Sequence, residues 1–259
     1  MKNLLITWLV IGLSQSVNAQ VEFSSHRGSS LHAPENTKAS VALAWEQGAD
    51  AVEIDIHLSK DNRLMVIHDS NTKRTSGKDY RVEDTASDVL RQLDVGSFKG
   101  GKYKNERIPF LEEIIGMVPA SKTLYIELKC GLDGLPFLQK VIRANAAKGK
   151  LAIICFDYEV IVAAKKMFPN NSCHYLIGKE EGLKENIKKA ALNGIDAIDM
   201  KHSLINQDIV DYVHSLSMKI NAWTVDDPRD AKRLMELRGM DGIETNCVPC
   251  LKESLNIKR

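Results

Sequence analysis

Two acidic residues on one apolar strand are the first feature of this sequence that could do chemistry. Segment 51–57 alternates branched apolar residues with Glu53, Asp55 and His57, which is the period of a β-strand and puts both acids on one face. Like charges about 7 Å apart on a buried face repel each other and lose hydration. A metal ion, a basic partner or a raised carboxyl pKa must then compensate them, unless the strand is half exposed and the acids form an ordinary polar face.

Further reactive side chains stand at the ends of nearby apolar segments. His26 and Arg27 follow the first such segment, and Glu127 and Lys129 lie on a later one. His68 ends the run that returns from the acidic strand through a short polar turn, and Asp69 follows it. Each group also has a plain structural interpretation: Glu127 and Lys129 as an ion pair, and His26 as a backbone partner at a loop start.

A count of the strands predicts the fold that would bring these groups together. The run after the acidic strand returns through a short turn, so it must be antiparallel and lies outside a parallel barrel. We predict an α/β fold, a (β/α)8 TIM barrel, with a small insertion at about residues 58–115 between strand 2 and its helix. A doubly wound sheet is the alternative, and the lack of a glycine-rich phosphate fingerprint counts against it. The eight predicted barrel strands are 21–25, 51–57, 124–129, 151–155, 172–177, 197–200, 219–225 and 241–244.

Two helix predictions bear on the same region. Asn36 is predicted as the N-cap of a helix over residues 37–47 that Gly48 ends. Residues 82–93, inside the predicted insertion, also have helical spacing.

The strand ends of a barrel converge at its C-terminal face, where barrel active sites are found. Three carboxylates without a soft ligand suit a hard divalent cation such as Mg²⁺, Ca²⁺ or Mn²⁺. Arg27 and Lys129 would then be spare positive charges that favour an anionic ligand, most simply a phosphate. His26 and His68 could flank it as general acid and base. Trp223, at the end of the seventh strand, is either a core residue or a ring that faces the substrate.

The N-terminal segment predicts export. Lys2 precedes an apolar run over residues 4–13, and Val17-Asn-Ala19 fits the small-residue rule for signal-peptide cleavage. We therefore expect residues 1–19 to be a signal peptide, residues 20–259 to form the barrel domain, and the protein to be periplasmic or extracellular. An uncleaved anchor is the alternative, although the run is short for a membrane span.

Composition excludes several classes of partner. The chain of 259 residues has a formal net charge of +1, and the predicted signal peptide carries one lysine and no acid. The rest is therefore nearly neutral and has no basic stripe with interleaved aromatic residues, which argues against a nucleic-acid partner. Nor does a later apolar run approach the length of a membrane span, so we expect no stable membrane insertion.

The five cysteines do not form a disulfide framework, because their number is odd. Cys247 and Cys250 lack a second ligand pair nearby, so a zinc site there is not expected. A local disulfide between these two residues stays an open alternative, and the other three are expected to be buried free thiols.

Nearly the whole predicted mature chain resembles the glycerophosphodiester phosphodiesterase family. The resemblance depends on the order of several short motifs along the chain and not on any single motif. The matching motifs are His26-Arg-Gly28, Pro34-Glu-Asn-Thr37, Glu53-x-Asp55, Lys60-Asp61, His68-Asp69, Arg74-Thr75, Leu111-Glu-Glu113, Glu127-x-Lys129 and Trp223-Thr-Val225. Two positions depart from the family pattern: Phe110 replaces a small polar residue, and Asn246 stands where an aspartate is frequent.

The resemblance implies roles for the residues already singled out. His26 and His68 resemble the acid–base pair, and Arg27 and Lys129 resemble the phosphate-binding pair. Glu35 resembles a residue of the polar site lining. Glu53, Asp55 and Glu127 resemble the ligands of a divalent cation, Mg²⁺ or Ca²⁺.

The implied activity is hydrolysis of a small-molecule glycerophosphodiester to sn-glycerol 3-phosphate and an alcohol, through a cyclic phosphate formed by the glycerol 2-hydroxyl. Two rival hypotheses remain. One is lysophospholipase D-like activity with the same groups, which would need an apolar groove that the polar segment 96–107 does not suggest. The other is an exported phosphoglycerol-binding protein without turnover, against which the two histidines argue.

Overall fold

The computed structural model describes residues 21–257. The predicted signal peptide, residues 1–19, lies outside the described residues, so its cleavage stays a prediction. Among the helices of residues 21–257, none combines the length and the apolar character that crossing a membrane requires.

Eight parallel strands close into a barrel, which confirms the predicted fold class. The strands in chain order are β1 (Glu22–Ser25), β2 (Ala51–Leu58), β3 (Leu64–Val66), β4 (Thr123–Leu128), β5 (Lys150–Cys155), β6 (Ser172–Ile177), β7 (Ala197–Lys201), β8 (Lys219–Trp223) and β9 (Gly242–Thr245). Strand β1 pairs with β2 on one side and with β9 on the other, so the ring closes. Strand β3 lies outside the ring and pairs antiparallel with β2, as the short turn before it requires.

Most of the helices surround the barrel, and short ones lie within the insertion. They are α1 (Lys38–Glu46), α2 (Lys73–Ser76), α3 (Ser87–Leu90), α4 (Leu111–Ile115), α5 (Leu135–Ala144), α6 (Tyr158–Met167), α7 (Leu183–Leu192), α8 (Gln207–Ser215), α9 (Pro228–Met235) and α10 (Val248–Ser254). Strand β2 shows why the sequence folds this way. Val52, Ile54 and Ile56 belong to the main hydrophobic core, and strand alternation turns Glu53 and Asp55 to the opposite face, into the barrel.

The segment between β2 and α4 packs around a small core of its own. This core contains Met65, Ile67, Val82, Leu90, Leu93, Val95 and Ile108. The helix predicted over residues 82–93 is wrong in extent, since only Ser87–Leu90 is α-helical. The Asp61 carboxylate accepts hydrogen bonds from the Ser87 backbone N–H and from its hydroxyl, each at 2.7 Å, and so fixes the point where the helix begins.

Cys247 and Cys250 form a disulfide at the start of α10, which is one of the alternatives that their spacing left open. The other three cysteines, Cys130, Cys155 and Cys173, are free thiols, and Cys155 and Cys173 are buried.

Candidate active site

A left-handed turn after β1 brings the first site residues into the barrel mouth. Arg27 has φ of 54° and Gly28 has φ of 76°. A Cβ atom at Gly28 would lie 2.5 Å from Ser40 Oγ, so glycine meets both the backbone and the space requirement. The turn points the Arg27 backbone N–H at Glu53 Oε2, to which it donates at 2.9 Å.

Three carboxylates meet inside this mouth, as their strand positions predicted. Glu53 and Asp55 on β2 and Glu127 on β4 each place an oxygen within 4.8 Å of the other two. All three residues are buried, at 1%, 0% and 8% exposure. Glu53 Oε1 and Asp55 Oδ1 are buried without a hydrogen-bond partner. Because buried polar atoms are normally satisfied, Glu53 Oε1 is available to a ligand that supplies positive charge, whereas Asp55 Oδ1 already has Lys129 Nζ at 3.2 Å.

Two cationic side chains offset part of this negative charge. Lys129 Nζ lies 2.7 Å from Glu127 Oε1 and 3.2 Å from Asp55 Oδ1, and Arg27 Nε lies 3.5 Å from Asp55 Oδ2. Within residues 21–257, no side-chain nitrogen of lysine, arginine or histidine lies within 4.0 Å of Glu53. The cluster therefore holds more acids than cations, and Glu53 is the acid without a basic partner.

The pKa values of the three carboxyl groups reflect this arrangement. Burial and then the charge of Asp55 raise the pKa of Glu53 well above its usual value. The same two causes raise the pKa of Glu127 to about 7. Burial also opposes ionisation of Asp55, but the charge of Lys129, aided by Arg27 and Asn36, keeps the pKa of Asp55 below its usual value. A divalent cation at the centre would favour the ionised form of all three groups.

His26 is held in one tautomer by Asn246. His26 Nδ1 lies 2.8 Å from Asn246 Oδ1, an oxygen that also accepts from the Ser30 hydroxyl at 2.7 Å. The amide nitrogen of Asn246 donates to Asp226, which fixes the direction of the amide. His26 Nδ1 therefore carries the hydrogen, and Nε2, 4.0 Å from Glu244 Oε1, keeps a lone pair. Burial and then the Arg27 charge lower the pKa of His26 to about 4, so the ring is neutral near pH 7.

His68 is oriented by a separate chain of charged groups. His68 Nδ1 lies 2.7 Å from Asp69 Oδ1, and Arg74 donates to both oxygens of Asp69 at 2.8 and 3.1 Å. Arg74 also donates to both oxygens of Glu35, at 2.7 and 2.8 Å. Glu35 accepts from Arg27 at 3.0 Å as well, so this predicted lining residue connects the Arg27 guanidinium to the segment that carries His68.

Trp223 lies at the end of β8, as predicted. Its indole N–H donates to the Asp199 carbonyl at 3.0 Å, and its ring packs edge-on against Phe156 with 5.3 Å between centroids. Phe156 is 45% exposed, and Lys129 Nζ lies 5.9 Å from its ring centroid. The two aromatic rings thus form a wall beside Lys129.

Sequence reasoning missed several residues of this site. Asn36 is not the N-cap of α1, which is Thr37; instead its side chain donates to Asp55 Oδ2 at 2.8 Å and accepts from the Asp55 N–H at 3.1 Å. Glu244 on β9 also points into the mouth, and the strand alternation of segment 242–245 could have indicated it. The departure of Asn246 from the family pattern marked this position in the sequence. Its contact with His26 could not be predicted from that departure.

The contact between Asn246 and His26 predicts a shift in pH dependence. Asn246→Asp would place a carboxylate at His26 Nδ1 and stabilise the imidazolium, raising the His26 pKa by about 1–3 units. A base must be neutral to accept a proton, so, with His26 in the acid–base role that the family resemblance implies, the acidic limb of kcat/KM should move to higher pH by that amount. The pH–rate profile measures this shift. Asn105→Asp, which adds the same charge on an exposed loop, should leave the limb in place, and an unmoved limb in Asn246→Asp would contradict the assignment.

Comparison with known proteins shows which family the chain belongs to. The sequence profile of the Glycerophosphoryl diester phosphodiesterase family matches residues 26–248. A glycerophosphodiester phosphodiesterase of Caldanaerobacter subterraneus subsp. tengcongensis is 32% identical over 229 residues, which is 86% of this chain and 92% of the relative. A glycerophosphodiester phosphodiesterase of Bacillus subtilis is 27% identical over 244 residues, 86% of this chain and 82% of the relative.

A solved structure agrees with the sequence matches. It is an Oleispira antarctica phosphodiesterase in complex with its product sn-glycerol-3-phosphate, at 28% identity and a TM-score of 0.83, covering 91% of this chain and 96% of that one. The family profile, the relatives and the solved structure agree. The chain therefore belongs to the glycerophosphoryl diester phosphodiesterase family, a family of hydrolases.

Proposed function

We propose that this protein hydrolyses glycerophosphodiesters to sn-glycerol 3-phosphate and an alcohol with the help of a divalent cation and two histidines. One observation carries the proposal: three buried carboxylates, two of them with an oxygen that accepts no hydrogen bond from the described residues, lie beside Arg27 and Lys129. Positive groups at one end of an acidic cluster are arranged to hold a metal and a phosphate together. The product bound by the Oleispira antarctica relative supports the same substrate class.

Glu53, Asp55 and Glu127 would hold the cation. Their donors are all carboxylate oxygens, which suit Mg²⁺ or Ca²⁺ better than a soft ion. The buried Oε1 of Glu53, which accepts no hydrogen bond and has no cationic side chain beside it within the described part of the chain, supports such a fit. When bound, the ion would neutralise negative charge on the phosphoryl oxygens.

Arg27 and Lys129 would hold the phosphate, and Trp223 would border the bound molecule. Glu35 fixes the guanidinium of Arg27, so the planar donor fork is preoriented before the substrate arrives. Lys129 lies between the acids and the Phe156 ring, which places its ammonium at the boundary between the metal site and the aromatic wall. The phosphate would therefore be bound by fixed charges.

The two histidines would move the protons. His26 Nε2 has a free lone pair and a lowered pKa, so His26 would accept the proton of the glycerol 2-hydroxyl as that oxygen attacks phosphorus. The bond from phosphorus to the alcohol oxygen breaks, and His68, oriented by Asp69, would donate a proton to that oxygen. In the second step the roles reverse: water loses a proton to His68, opens the cyclic phosphate, and the glycerol oxygen regains a proton from His26.

A cavity next to Arg27 offers room for the departing alcohol. Its volume is about 360 Å³, and its walls include Ser30, Lys99, Asp226 and Asn246. Its walls also include the apolar residues Leu31, Pro228 and Leu251, so the lining does not by itself select a polar alcohol over an acyl chain.

The test is product analysis with a panel of substrates. The Mg²⁺- or Ca²⁺-loaded protein should release sn-glycerol 3-phosphate, seen by ³¹P NMR, from glycerophosphocholine, -ethanolamine, -glycerol or -inositol. An analogue lacking the glycerol 2-hydroxyl should bind in calorimetry without being cleaved, since the first nucleophile is missing. Cleavage of that analogue would exclude the cyclic intermediate. Binding of every substrate without turnover would favour the phosphoglycerol-binding alternative, and preference for lysolipids would favour the lysophospholipase D alternative.

We also propose that the protein is exported, on the basis of the apolar segment and the cleavage pattern before Gln20. Mass spectrometry of the protein purified from its own host should place the N-terminus at or near Gln20. A cytosolic protein that retains Met1 would contradict export.

A further inference from the structure

A second set of reactive side chains lies at the opposite end of the barrel, where the strands begin. Ser172 is the first residue of β6, and His174 follows on the same face of that strand. Asp199 on the neighbouring strand β7 faces His174. Neither the histidine nor the aspartate has a part in the phosphodiesterase steps, and both are buried, at 3% and 7% exposure.

The three side chains form a continuous hydrogen-bonded relay. Ser172 Oγ lies 2.8 Å from His174 Nε2, and His174 Nδ1 lies 3.0 Å from each oxygen of Asp199. The Asp199 carboxylate can only accept, so His174 Nδ1 carries the hydrogen and Nε2 accepts from the Ser172 hydroxyl. The Asn221 amide donates to Asp199 Oδ1 at 2.7 Å and holds the carboxylate in place. This is the order of nucleophile, base and orienting acid that activates a serine.

The relay opens onto a large cavity. Ser172 is exposed and lines, together with His174, a cavity of about 990 Å³ at the starts of the strands. The N-terminal face of a barrel usually serves stability, and a buried His–Asp pair alone would fit that role. A stabilising role does not require a contact between the lone-pair nitrogen of His174 and a solvent-exposed hydroxyl beside a cavity. Such a contact is the geometry of a nucleophile that a substrate can reach.

Two lysines without a carboxylate partner among the described residues also line the cavity. Lys150 and Lys219, at the starts of β5 and β8, line it, and within residues 21–257 neither lysine has a carboxylate oxygen within 4.0 Å. Of the acids that line the same cavity, Asp196 and Asp241 are paired with Lys165 and His214, and Glu22 accepts a hydrogen bond from the Tyr125 hydroxyl. The lysines can therefore attract an anionic group on a substrate and favour the negative charge that develops on a carbonyl oxygen.

We propose that Ser172, His174 and Asp199 form a second hydrolytic centre, for small carboxylic esters that carry an anionic group. Ser172 Oγ attacks the carbonyl carbon, and its proton moves to His174 Nε2. The bond to the alcohol oxygen breaks, that oxygen takes the proton from His174, and the acyl group remains on Ser172. Water then attacks the acyl carbon while His174 takes its proton, and the serine leaves with that proton. The sum is ester and water giving acid and alcohol.

The test is covalent labelling and ester hydrolysis with the full-length protein in Mg²⁺. A fluorophosphonate probe should label Ser172, located by peptide mass spectrometry, and 4-nitrophenyl hemisuccinate should be hydrolysed. Ser172→Ala should abolish the label and lower kcat/KM for the ester by at least about 100-fold. Asp199→Asn should also lose hydrolysis, because it no longer selects the base tautomer. The phosphodiesterase activity of Ser172→Ala should be unchanged.

Matched variants separate this centre from the phosphodiesterase site and from surface reactivity. His26→Ala should keep ester hydrolysis, and Ser215→Ala, at the end of α8, should keep both the label and the rate. Equal labelling or equal hydrolysis in Ser172→Ala and wild type would overturn the proposal and leave the relay as a stabilising network. In the double variant Lys150→Met with Lys219→Met, the preference for the hemisuccinate over the acetate should fall about fivefold or more. An unchanged preference would overturn the anionic substrate class.

Discussion

Replacing His26 with alanine is expected to lower kcat for glycerophosphodiester hydrolysis by about 10²–10⁴-fold, the usual contribution of an acid–base residue. His26→Ala should still bind the cation and sn-glycerol 3-phosphate, because the carboxylates, Arg27 and Lys129 are untouched. Stopped assays give kcat, and calorimetry gives the two affinities. His68→Ala should show a loss of similar size, because the proposed mechanism places His68, which contacts Asp69, at the opposite end of the same proton transfers.

The double histidine variant sharpens this prediction. Both residues would serve the same two steps, so the loss in the double variant should be smaller than the product of the single losses. His214→Gln is the matched control, since His214 pairs with Asp241 on the far side of the barrel and should leave kcat unchanged. Wild-type rates in both single variants would refute the acid–base assignment.

Glu53→Gln is expected to separate metal binding from folding. The substitution keeps the shape of the side chain but removes a ligand charge, so affinity for Mg²⁺ or Ca²⁺ should fall by about 10–100-fold and activity with it. In the presence of a chelator, the variant should be at least as stable as wild type, because the buried Glu53 carboxylate has no cationic partner and its pKa is raised. Thermal melts with and without metal measure both effects. Glu46→Gln, on helix α1, serves as the control, and full wild-type activity in excess chelator would contradict metal dependence.

The raised carboxyl pKa values also predict how the stability of the protein depends on pH in the presence of a chelator. A carboxyl group whose folded pKa is higher than its unfolded pKa binds more protons in the folded state between those two values. Through Glu127, the stability of the metal-free protein should therefore fall as the pH rises from about 4.5 towards 7, the interval through which burial and the Asp55 charge move the pKa of this residue. The lowered pKa of His26 opposes this slope. Glu127→Gln should flatten this slope, and saturating metal should do the same.

Local patterns were enough to predict the barrel and the acidic cluster. Alternation on β2 put Glu53 and Asp55 on one face, and the sequential order of parallel strands placed Glu127 on the next strand. These inferences depend only on the strand period and on the closure of a barrel, which short segments encode.

Contacts between distant segments could not be predicted in the same way. Asn36 fits the N-cap pattern as well as Thr37 does, and only the closed barrel shows that Asp55 binds its side chain. Residues 82–93 have helical spacing, yet Asp61, more than 20 positions earlier, determines where the helix starts. The role of Asn246 likewise depends on a contact with His26 where the pairing of β1 with β9 closes the barrel.

The position of Glu35 between Arg27 and Arg74 has a consequence for engineering. The Glu35 carboxylate ties Arg27, the arginine proposed to bind phosphate, to the segment that carries His68, so the two parts cannot be exchanged independently. A chimaera that takes this segment from a relative without an arginine at position 74 would leave Glu35 with one partner and Arg27 less firmly placed. Positions 35 and 74 should therefore be transplanted as a pair when substrate preference is redesigned by segment exchange.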